Sequence, residues 1–455
     1  VCTAHHIPDQ KEKDIHRVVI LTIVLILLPP PPCSAAIYTV DDDGPADYDK
    51  IQDAINDAVD GDIIQVIQGR YYENIDFRGK AITLTSTDPN DSSVVENTII
   101  DANGDGIVVS FHTDEGPDSI ITGFTITGGH AKYGAGICCW GECSPSITYC
   151  TIRDNHNYDI SDGAGAGLYA ASGSNSTLTN CTINNNTSLF GGGIYAVGYE
   201  SHITLTGCTL KLNTSNYSGG GVGSASAHIT ITNCNINNNS TTWGSGGGVW
   251  CHSGYIALTD CNISKNIAGV QSISGGNFGG GVYLEERTET QINNSIFTAN
   301  FAYDGGAIYE ENVEPVIRHC TFDRNETFNG FGSGIACYKN NNPATITHNI
   351  ITGSQGGSGI YMLYADALID YNNLWDNPGG DYGGWAWPGE GDISVDPCFI
   401  NPGYWDDNDT PGDATDGFWV DGNYHLHWDS PCINAGDPAF TPEPGETDID
   451  GQPRI

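Results

Sequence analysis

Positive charge is scarce in this chain. Sixteen Lys and Arg stand against 56 Asp and Glu, a formal net charge of −40. A phosphate backbone would be repelled, which excludes nucleic acid as a partner. Helical periodicity is also missing. Nothing between Gly106 and Leu374 repeats its apolar residues at the spacing of a helix, which removes helical bundles and alternating α/β folds. Long apolar runs are few. The one from Val18 to Leu28 follows Lys11, Lys13 and Arg17, is stopped by Pro29–Pro32, and precedes Ser34, Ala35 and Ala36. It is too short to span a bilayer and has the layout of a secretory signal peptide. The expectation is a chain that is secreted or held at the cell surface. Residues 1–36 would be signal peptide and upstream extension, and the mature chain would lack a transmembrane segment.

What is present is repetition. Cys-x-(Ile/Leu/Phe)-x-x-Asn occurs at Cys150, Cys181, Cys208, Cys234, Cys261 and Cys320, with partners Asn155, Asn186, Asn213, Asn239, Asn266 and Asn325. Ser295 with Asn300 is a seventh copy. Asn349 with Ser354, and Asn372 with Asn377, are degenerate later ones. The anchors lie 23 to 34 residues apart, a period that means stacked supersecondary units. Before each Cys the chain alternates, as in Ile203-Thr204-Leu205-Thr206, which reads as strand. A Gly-Gly-(Ile/Val)-(Tyr/Trp) element recurs too, ending at Tyr195, Trp250 and Tyr283. One strand of each kind per copy must stack in parallel. The predicted fold is all-β: a right-handed parallel β-helix solenoid over 63–376, with a short N-terminal capping helix in 37–62. Its apolar face would be Ile51, Ala54, Ile55, Ala58 and Val59. Residues 377–455 read as a loop-rich, acidic, aromatic C-terminal cap, expected to be truncated because it ends on a strand-like Pro453-Arg454-Ile455.

In such a solenoid the Cys and the aliphatic residue two positions on point inward. The Asn sits in a turn and bonds its copies above and below. Glycines supply the backbone with positive φ. The cysteines are then mostly structural thiols, with Cys139, Cys251 and Cys337 as a second small inward column. Cys138, Cys139 and Cys143 lack the second pair that a zinc site needs. Cys398 and Cys432 lie outside the repeat and are the candidate disulfide.

Three groups of polar residues are candidates for function. Thr177, Thr179, Thr204, Thr206, Thr230 and Thr232 make an outward Thr-x-Thr stripe, a binding surface for glycan or simply strand-favouring residues. Asp406, Asp407, Asp409, Asp413 and Asp416 place five carboxylates in eleven residues without a Lys or Arg. That density favours a hard cation such as Ca2+. Asp101, Asn103 and Asp105 before Gly106 copy the first half of a calcium loop, but His112 stands where its closing Glu belongs. Arg153 and Asp154, with Asp159 and Asp162 nearby, are the weak catalytic candidates. Parity would set Arg153 and Asp154 on opposite faces.

The residues Phe297-x-x-Asn300 and Gly305-Gly306-Ala307-Ile308 resemble the repeats of polymorphic outer membrane proteins, which are β-helical adhesins. The stretch from Ile51 to Ile75 and the ending Ser430-Pro431-Cys432-Ile433-Asn434 resemble secreted pectate-lyase-like β-helix proteins. The resemblance implies the fold strongly and an activity weakly. The Asn-Thr-Asp and Gly-His-Gly motifs of inverting β-helix hydrolases are missing, and no outer-membrane barrel pattern follows. Two functions stay open. One is a non-catalytic interaction or structural module touching polysaccharide or another cell-envelope component. The other is a calcium-dependent polysaccharide lyase or glycoside hydrolase. The oligomeric state is not legible.

Overall fold

The computed structural model describes residues 35–157, 161–271, 276–339, 343–406, 408, 418–442 and 445–453. The signal-peptide reading lies outside them, as do Asp159, Asp407, Asp409, Asp413 and Asp416. The chain winds through three long parallel sheets. Sheet A has 13 strands, from Ile37–Val40 to Ala367–Asp370. Sheet B has 12, from Gly69–Tyr71 to Asn373–Trp375, and sheet C has 12, from Ile75–Asp76 to Tyr382–Gly384. Each full coil runs from A to B, then along a ledge, then to C. The ledge carries its own five-stranded sheet, from His130–Ala131 to Ser240–Thr241. A two-stranded piece, Phe301–Ala302 with Glu326–Thr327, continues it. This is the expected parallel solenoid.

The bore is filled by in-register aliphatics. Ile183, Leu210, Ile236, Ile263, Phe297, Phe322 and Ile351 sit one above another on sheet B, all fully buried. Successive coils are ~4.8 Å apart, and each such side chain contributes roughly 1.5–3 kcal/mol.

Sheet B is flanked by two left-handed corners per coil. The first column includes Asn180, Asn233, Asp260, Asn294, His319 and His348; the second includes Asp154, Asn185, Leu212, Lys265 and Arg324, all at positive φ. Glycine was expected at such turns, yet most of these corners carry side chains. The residue after each corner explains how the strain is held. After the second corner, Asn155, Asn186, Asn213, Asn239, Asn266, Asn300 and Asn325 form a continuous buried ladder. Asn213 is typical. Its Nδ2 donates to Asn239 Oδ1 at 3.0 Å and to the Ile183 carbonyl at 2.8 Å. Its Oδ1 accepts from Asn186 N at 3.1 Å and Asn186 Nδ2 at 3.0 Å. Every donor and acceptor of the amide is used.

After the first corner comes the cysteine column, pointing inward as expected. Cys208, Cys234 and Cys261 are buried free thiols. They also take part in hydrogen bonding. Cys208 N donates to Cys234 Sγ at 3.2 Å, and Cys208 Sγ donates to the Leu178 carbonyl at 3.5 Å. Cys261 N donates to Ser295 Oγ at 3.1 Å, and Cys320 N to Asn349 Oδ1 at 2.9 Å. Cys, Ser and Asn alternate in this column because each offers a small inward acceptor. Cys139, Cys251 and Cys337 do form a second inward column on sheet C, shared with larger residues: Leu284, Glu310 and Met362.

Helix α1 (Ile51–Asp57) buries Ile51, Ala54 and Ile55. Val59, expected on that face, is exposed, because the backbone turns extended at Ala58. A second short helix, α2 (Ser92–Asn97), was not foreseen; Asp91 caps it by accepting from Ser93 N at 2.8 Å. The C-terminal segment lies against the outside of sheet B. There Tyr424 donates to Asp323 Oδ2 at 3.0 Å, and Arg324 donates to the Gly403 carbonyl. Asp323 occupies an outward position yet is buried, since that segment covers it. Loss of solvent raises its carboxyl to about 6.

The expected Cys398–Cys432 disulfide is absent; both are free. Cys398 sits in a left-handed turn with its thiol on the Asp396 carbonyl, while Cys432 Sγ accepts from Asn373 Nδ2 at 3.1 Å.

Two outcomes follow from these ladders. Asn213→Leu leaves the Asn186 donors and the Ile183 carbonyl unpaired, at about 1–3 kcal/mol each. It should lower the thermal midpoint by calorimetry far more than Cys208→Ser, which only copies Ser295. Burial raises the Cys150 and Cys261 thiols to about 12. Among the described cysteines, a thiol reagent at pH 8 should therefore label Cys398 and Cys432 in the native protein and the ladder only after denaturation. Fast native labelling of Cys208 or Cys261, read by mass spectrometry, would contradict the packing.

Candidate functional site

The polar residues singled out by sequence are dispersed. Arg153 on sheet B pairs with Asp154 at 2.5 Å. Parity had set them apart, but Asp154 is a left-handed corner residue and its carboxylate swings back to the Arg. The same column continues with Asn184 and Lys211, so no second carboxylate joins Arg153 there. Asp162 belongs elsewhere: it accepts from Tyr133 Oη at 2.8 Å and pairs with Lys132 at 2.6 Å. The threonines stand in register on the outer face of sheet A. One column runs Thr85, Thr122, Thr148, Thr179, Thr206, Thr232 and Thr259. Thr177, Thr204 and Thr230 align beside it.

The calcium-like loop is committed otherwise. Asp101 pairs with Arg70 and accepts from Asn103 N at 2.7 Å, an ordinary turn. Asp406 Oδ1 accepts from Asn408 N at 2.9 Å. Among the described residues, only Asp41, Asp42 and Asp43 bring three ligand atoms within 4.8 Å of one another, so they could hold a cation.

The sequence reading missed an aromatic seam, where the outer face of sheet C packs against the ledge. On sheet C one outward column reads Tyr169, Tyr195, Gly223, Trp250, Tyr283, Tyr309, Ala336, Tyr361 and Gly383. Facing it, the ledge column reads Tyr133, Ala164, Phe190, Ser218 and Ser245, then Phe278 and Asp304. Phe331 follows, bonded through its carbonyl to Gly305 N. Rings meet across the seam: Tyr133 with Tyr169 at 4.9 Å, Phe278 with Tyr309 at 4.3 Å, Phe331 with Tyr361 at 4.6 Å. Tyr169, Tyr283, Tyr309 and Ala336 are buried in the seam, whereas Trp140, Tyr217, Trp243, Tyr364 and Trp385 stand exposed. The signal was in the repeat itself, in the Tyr or Trp that ends each glycine element.

Carboxylates punctuate the seam. Glu285 is held on three sides: Trp250 Nε1 donates to Oε1 at 2.9 Å, Tyr283 Oη to Oε2 at 2.9 Å, and His252 Nδ1 lies 3.4 Å away. Glu311 stands in the next coil, 3.9 Å from Lys339. Glu310, between Tyr309 and Glu311, points the other way, into the bore beside Cys337. Asp304 is 5% exposed, and its Oδ1 has no hydrogen-bond partner among the described residues. Burial raises its carboxyl to about 6, against the pull of Asn329 and the Phe331 backbone.

A second concavity of about 670 Å³ lies between sheet B and the C-terminal segment. The rings of His319, His348 and Tyr371 stack along it. Phe440 packs against both histidines, and His425 pairs with Asp450 across from them.

No curated protein matches the chain in sequence. Among solved structures it is similar to a lacto-N-biosidase from Eubacterium ramulus, at 12% identity over 79% of this chain and 68% of that one, TM-score 0.38. It is also similar to a pectin methylesterase variant in complex with a hexasaccharide, at 12% identity over 74% and 94%, TM-score 0.33. The receptor-binding tailspike of bacteriophage Det7 matches at 13% identity over 81% and 79%, TM-score 0.23. None of these is near enough in shape to bear on the chemistry of this chain. A family model described as a right-handed β-helix region matches residues 73–263 and 135–400. That match spans well over half of the sequence and the coils with their ladders, and the chain belongs to the right-handed β-helix family.

Proposed function

We propose that this protein is a secreted or cell-surface carbohydrate-binding β-helix that holds a polysaccharide along the aromatic seam of sheet C. The observation that carries this reading is the run of aromatic rings in register, with carboxylates between them. Sugar rings offer apolar C–H faces and a rim of hydroxyls. Aromatic faces cover the first, and carboxylates, amides and Tyr hydroxyls bond the second. Coils repeat at ~4.8 Å, close to the length of one sugar unit, so one strand per coil suits a polymer lying along the axis. No described helix is long and apolar enough to cross a membrane. The threonine columns of sheet A contain no aromatic ring, which favours the aromatic seam over them as the binding surface.

Calcium enters as a separate proposal. The acidic stretch from Asp406 to Asp416 would take up Ca2+ to relieve repulsion among its carboxylates. Calorimetric titration of the whole chain should show a binding event. It should be lost when Asp406, Asp407, Asp409, Asp413 and Asp416 are changed to Asn. Identical titrations of the two proteins would remove the claim.

Affinity electrophoresis in gels containing xylan, mixed-linkage β-glucan, galactomannan or polygalacturonate tests the seam. At least one polymer should retard the wild type. Trp250→Ala removes a ring and the donor to Glu285, and should abolish most of that retardation. Thr204→Ala, on the opposite sheet, should not. Equal retardation of Trp250→Ala and wild type would move the site away from sheet C.

A further inference from the structure

We propose that the cavity between sheet B and the C-terminal segment binds a small aliphatic amine, with its ammonium on Asp448 and its carbon chain running along the coils toward Cys432. This site is separate from the seam of sheet C and does not depend on the carbohydrate reading.

The cavity, about 670 Å³, has the size of a small-molecule site. Four successive coils floor it, from Asn294 to Asn373, a length of about 14 Å at the coil spacing. The chain changes character there. The first outward position of sheet B reads Thr182, Thr209, Asn235 and Asn262, then Ile296, Thr321 and Ile350. The left-handed corner beside it reads Asn180, Asn233, Asp260 and Asn294, then His319, His348 and Tyr371. Polar, solvent-facing positions thus turn apolar or ring-bearing under the C-terminal segment. Packing against that segment does not use up the new apolar surface. Ile296, Ile350, Ile393 and Leu426 are only half-buried, so the space between them stays open to water.

The two ends of the cavity differ. Asn294 Nδ2 donates to the Thr447 carbonyl at 3.4 Å, which sets the turn from Asp448 to Gly451 beside the first coil. Asn373 Nδ2 donates to Cys432 Sγ at 3.1 Å and Ile393 N donates to the Asn372 carbonyl at 2.9 Å, which sets Cys432 and Ile393 beside the last. One end is acidic and the other apolar. At the acidic end Asp450 is committed to His425, whose ring nitrogens lie 2.5 Å from Asp450 Oδ2 and 2.5 Å from Asn423 Oδ1. Asp448 Oδ1 accepts from Asp450 N at 3.0 Å and from Gln452 N at 2.8 Å. Its Oδ2 is left for a ligand.

This layout selects the ligand. Among the described residues no Lys or Arg lines the cavity, so an anion would meet Asp448 without a fixed cation to offset it. An ammonium gives Asp448 a charge-assisted hydrogen bond, and the field of a chain with net charge −40 draws cations in. An aliphatic body covers Ile296, Ile350 and Ile393 and removes them from water. A sugar ring would need an open aromatic face. Here the faces are taken: His348 stacks on Tyr371 at 5.5 Å, Phe440 packs on both histidines, and Phe399 stands against Tyr424. A metal ion would need converging ligand atoms, and among the described residues only Asp41, Asp42 and Asp43 bring three together.

The test uses the whole chain and calorimetry at physiological salt, which screens the acidic surface. The probes are hexylamine, hexanol, hexanoate and cellobiose. Hexylamine should bind, hexanol should bind roughly tenfold more weakly or worse, and hexanoate and cellobiose should not bind. Asp448→Asn keeps the acceptor that holds the turn and should bring hexylamine down to the level of hexanol. Cys432 reports the location. Hexylamine should slow its labelling by iodoacetamide, read by mass spectrometry, and leave Cys398, outside the cavity lining, unchanged. Unaltered hexylamine binding in Asp448→Asn, or equal labelling of Cys432 with and without hexylamine, would put the amine elsewhere on the acidic surface and overturn the proposal. Hexanoate binding as tightly as hexylamine would remove the role of charge and overturn it too. Cellobiose shielding Cys432 where hexylamine does not would make the cavity a sugar site instead. No binding of any probe would end the proposal, and none of these results bears on the retardation of polymers that Trp250→Ala tests.

Discussion

The asparagine ladder is the interaction on which the remaining structure depends. Each coil must turn sharply on both sides of sheet B, and it does so with left-handed residues that include Leu212, Lys265 and Arg324. Such conformations cost roughly 1–2 kcal/mol per L-residue. An isolated coil could not bear that cost. In the stack, Asn186, Asn213, Asn239, Asn266 and Asn300 each bond the Asn above, the Asn below and a strand carbonyl, so each corner is held by its neighbours. This is a one-dimensional cooperativity: a coil is stable because the next one exists. The cysteine column serves the other corner in a weaker form, with sulfur as acceptor. Ser295 and Asn349 stand in that column without breaking it, so hydrogen-bonding capacity and size are what the position requires.

Once the corners are fixed from within, the outer faces are free. The three differ in what covers them. Sheet A is open and carries threonines. Sheet B is partly covered by the C-terminal segment, which removes solvent from Asp323. Sheet C faces the ledge, whose rings pack against its tyrosines. The ledge exists because the chain after each buried Asn runs on as a short parallel strand before returning to sheet C. That detour sets Phe278, Asp304 and Phe331 opposite the tyrosines.

The interior was legible in the sequence because burial imposes period and residue type together. Cys, Ile and Asn recur at fixed offsets, and register follows from them. The candidate site was not, for the same reason. Outward positions carry no constraint from the bore, so their residues vary: Tyr195, Gly223 and Trp250 are one column but not one motif. Charge density drew attention to Arg153 and Asp154, which neutralise each other at a corner, and to Asp101, which is tied to Arg70. In the sequence Asp304 is an acidic residue before a glycine pair, with nothing to set it apart. Only the stacking of coils reveals that aromatic residues lie above and below it. Strand parity failed at Asp154 and helical periodicity at Val59, where the backbone leaves strand and helix geometry.

The small residues in the aromatic column deserve the same physical treatment as the rings. A Cβ on Gly223 would lie 2.8 Å from Tyr195 Cδ2, and one on Gly383 would lie 2.8 Å from Tyr361 Cδ2. These rings lean along the solenoid axis and rest on the next coil, which a larger residue would prevent. A ring laid over its neighbour is immobilised by packing and presents a face. A ring standing upright would present only its edge. Glycine at these two positions therefore fixes how the rings lie, the preorganisation that the proposed glycan contact would draw on. At Ala336 the column also narrows to a small side chain, but there the ledge supplies Phe331 to Tyr361 and Phe278 to Tyr309, and leaves Asp304 between them. The alternation of ring and small residue thus builds one continuous packed seam from a single register, with the carboxyl of Asp304 buried in it.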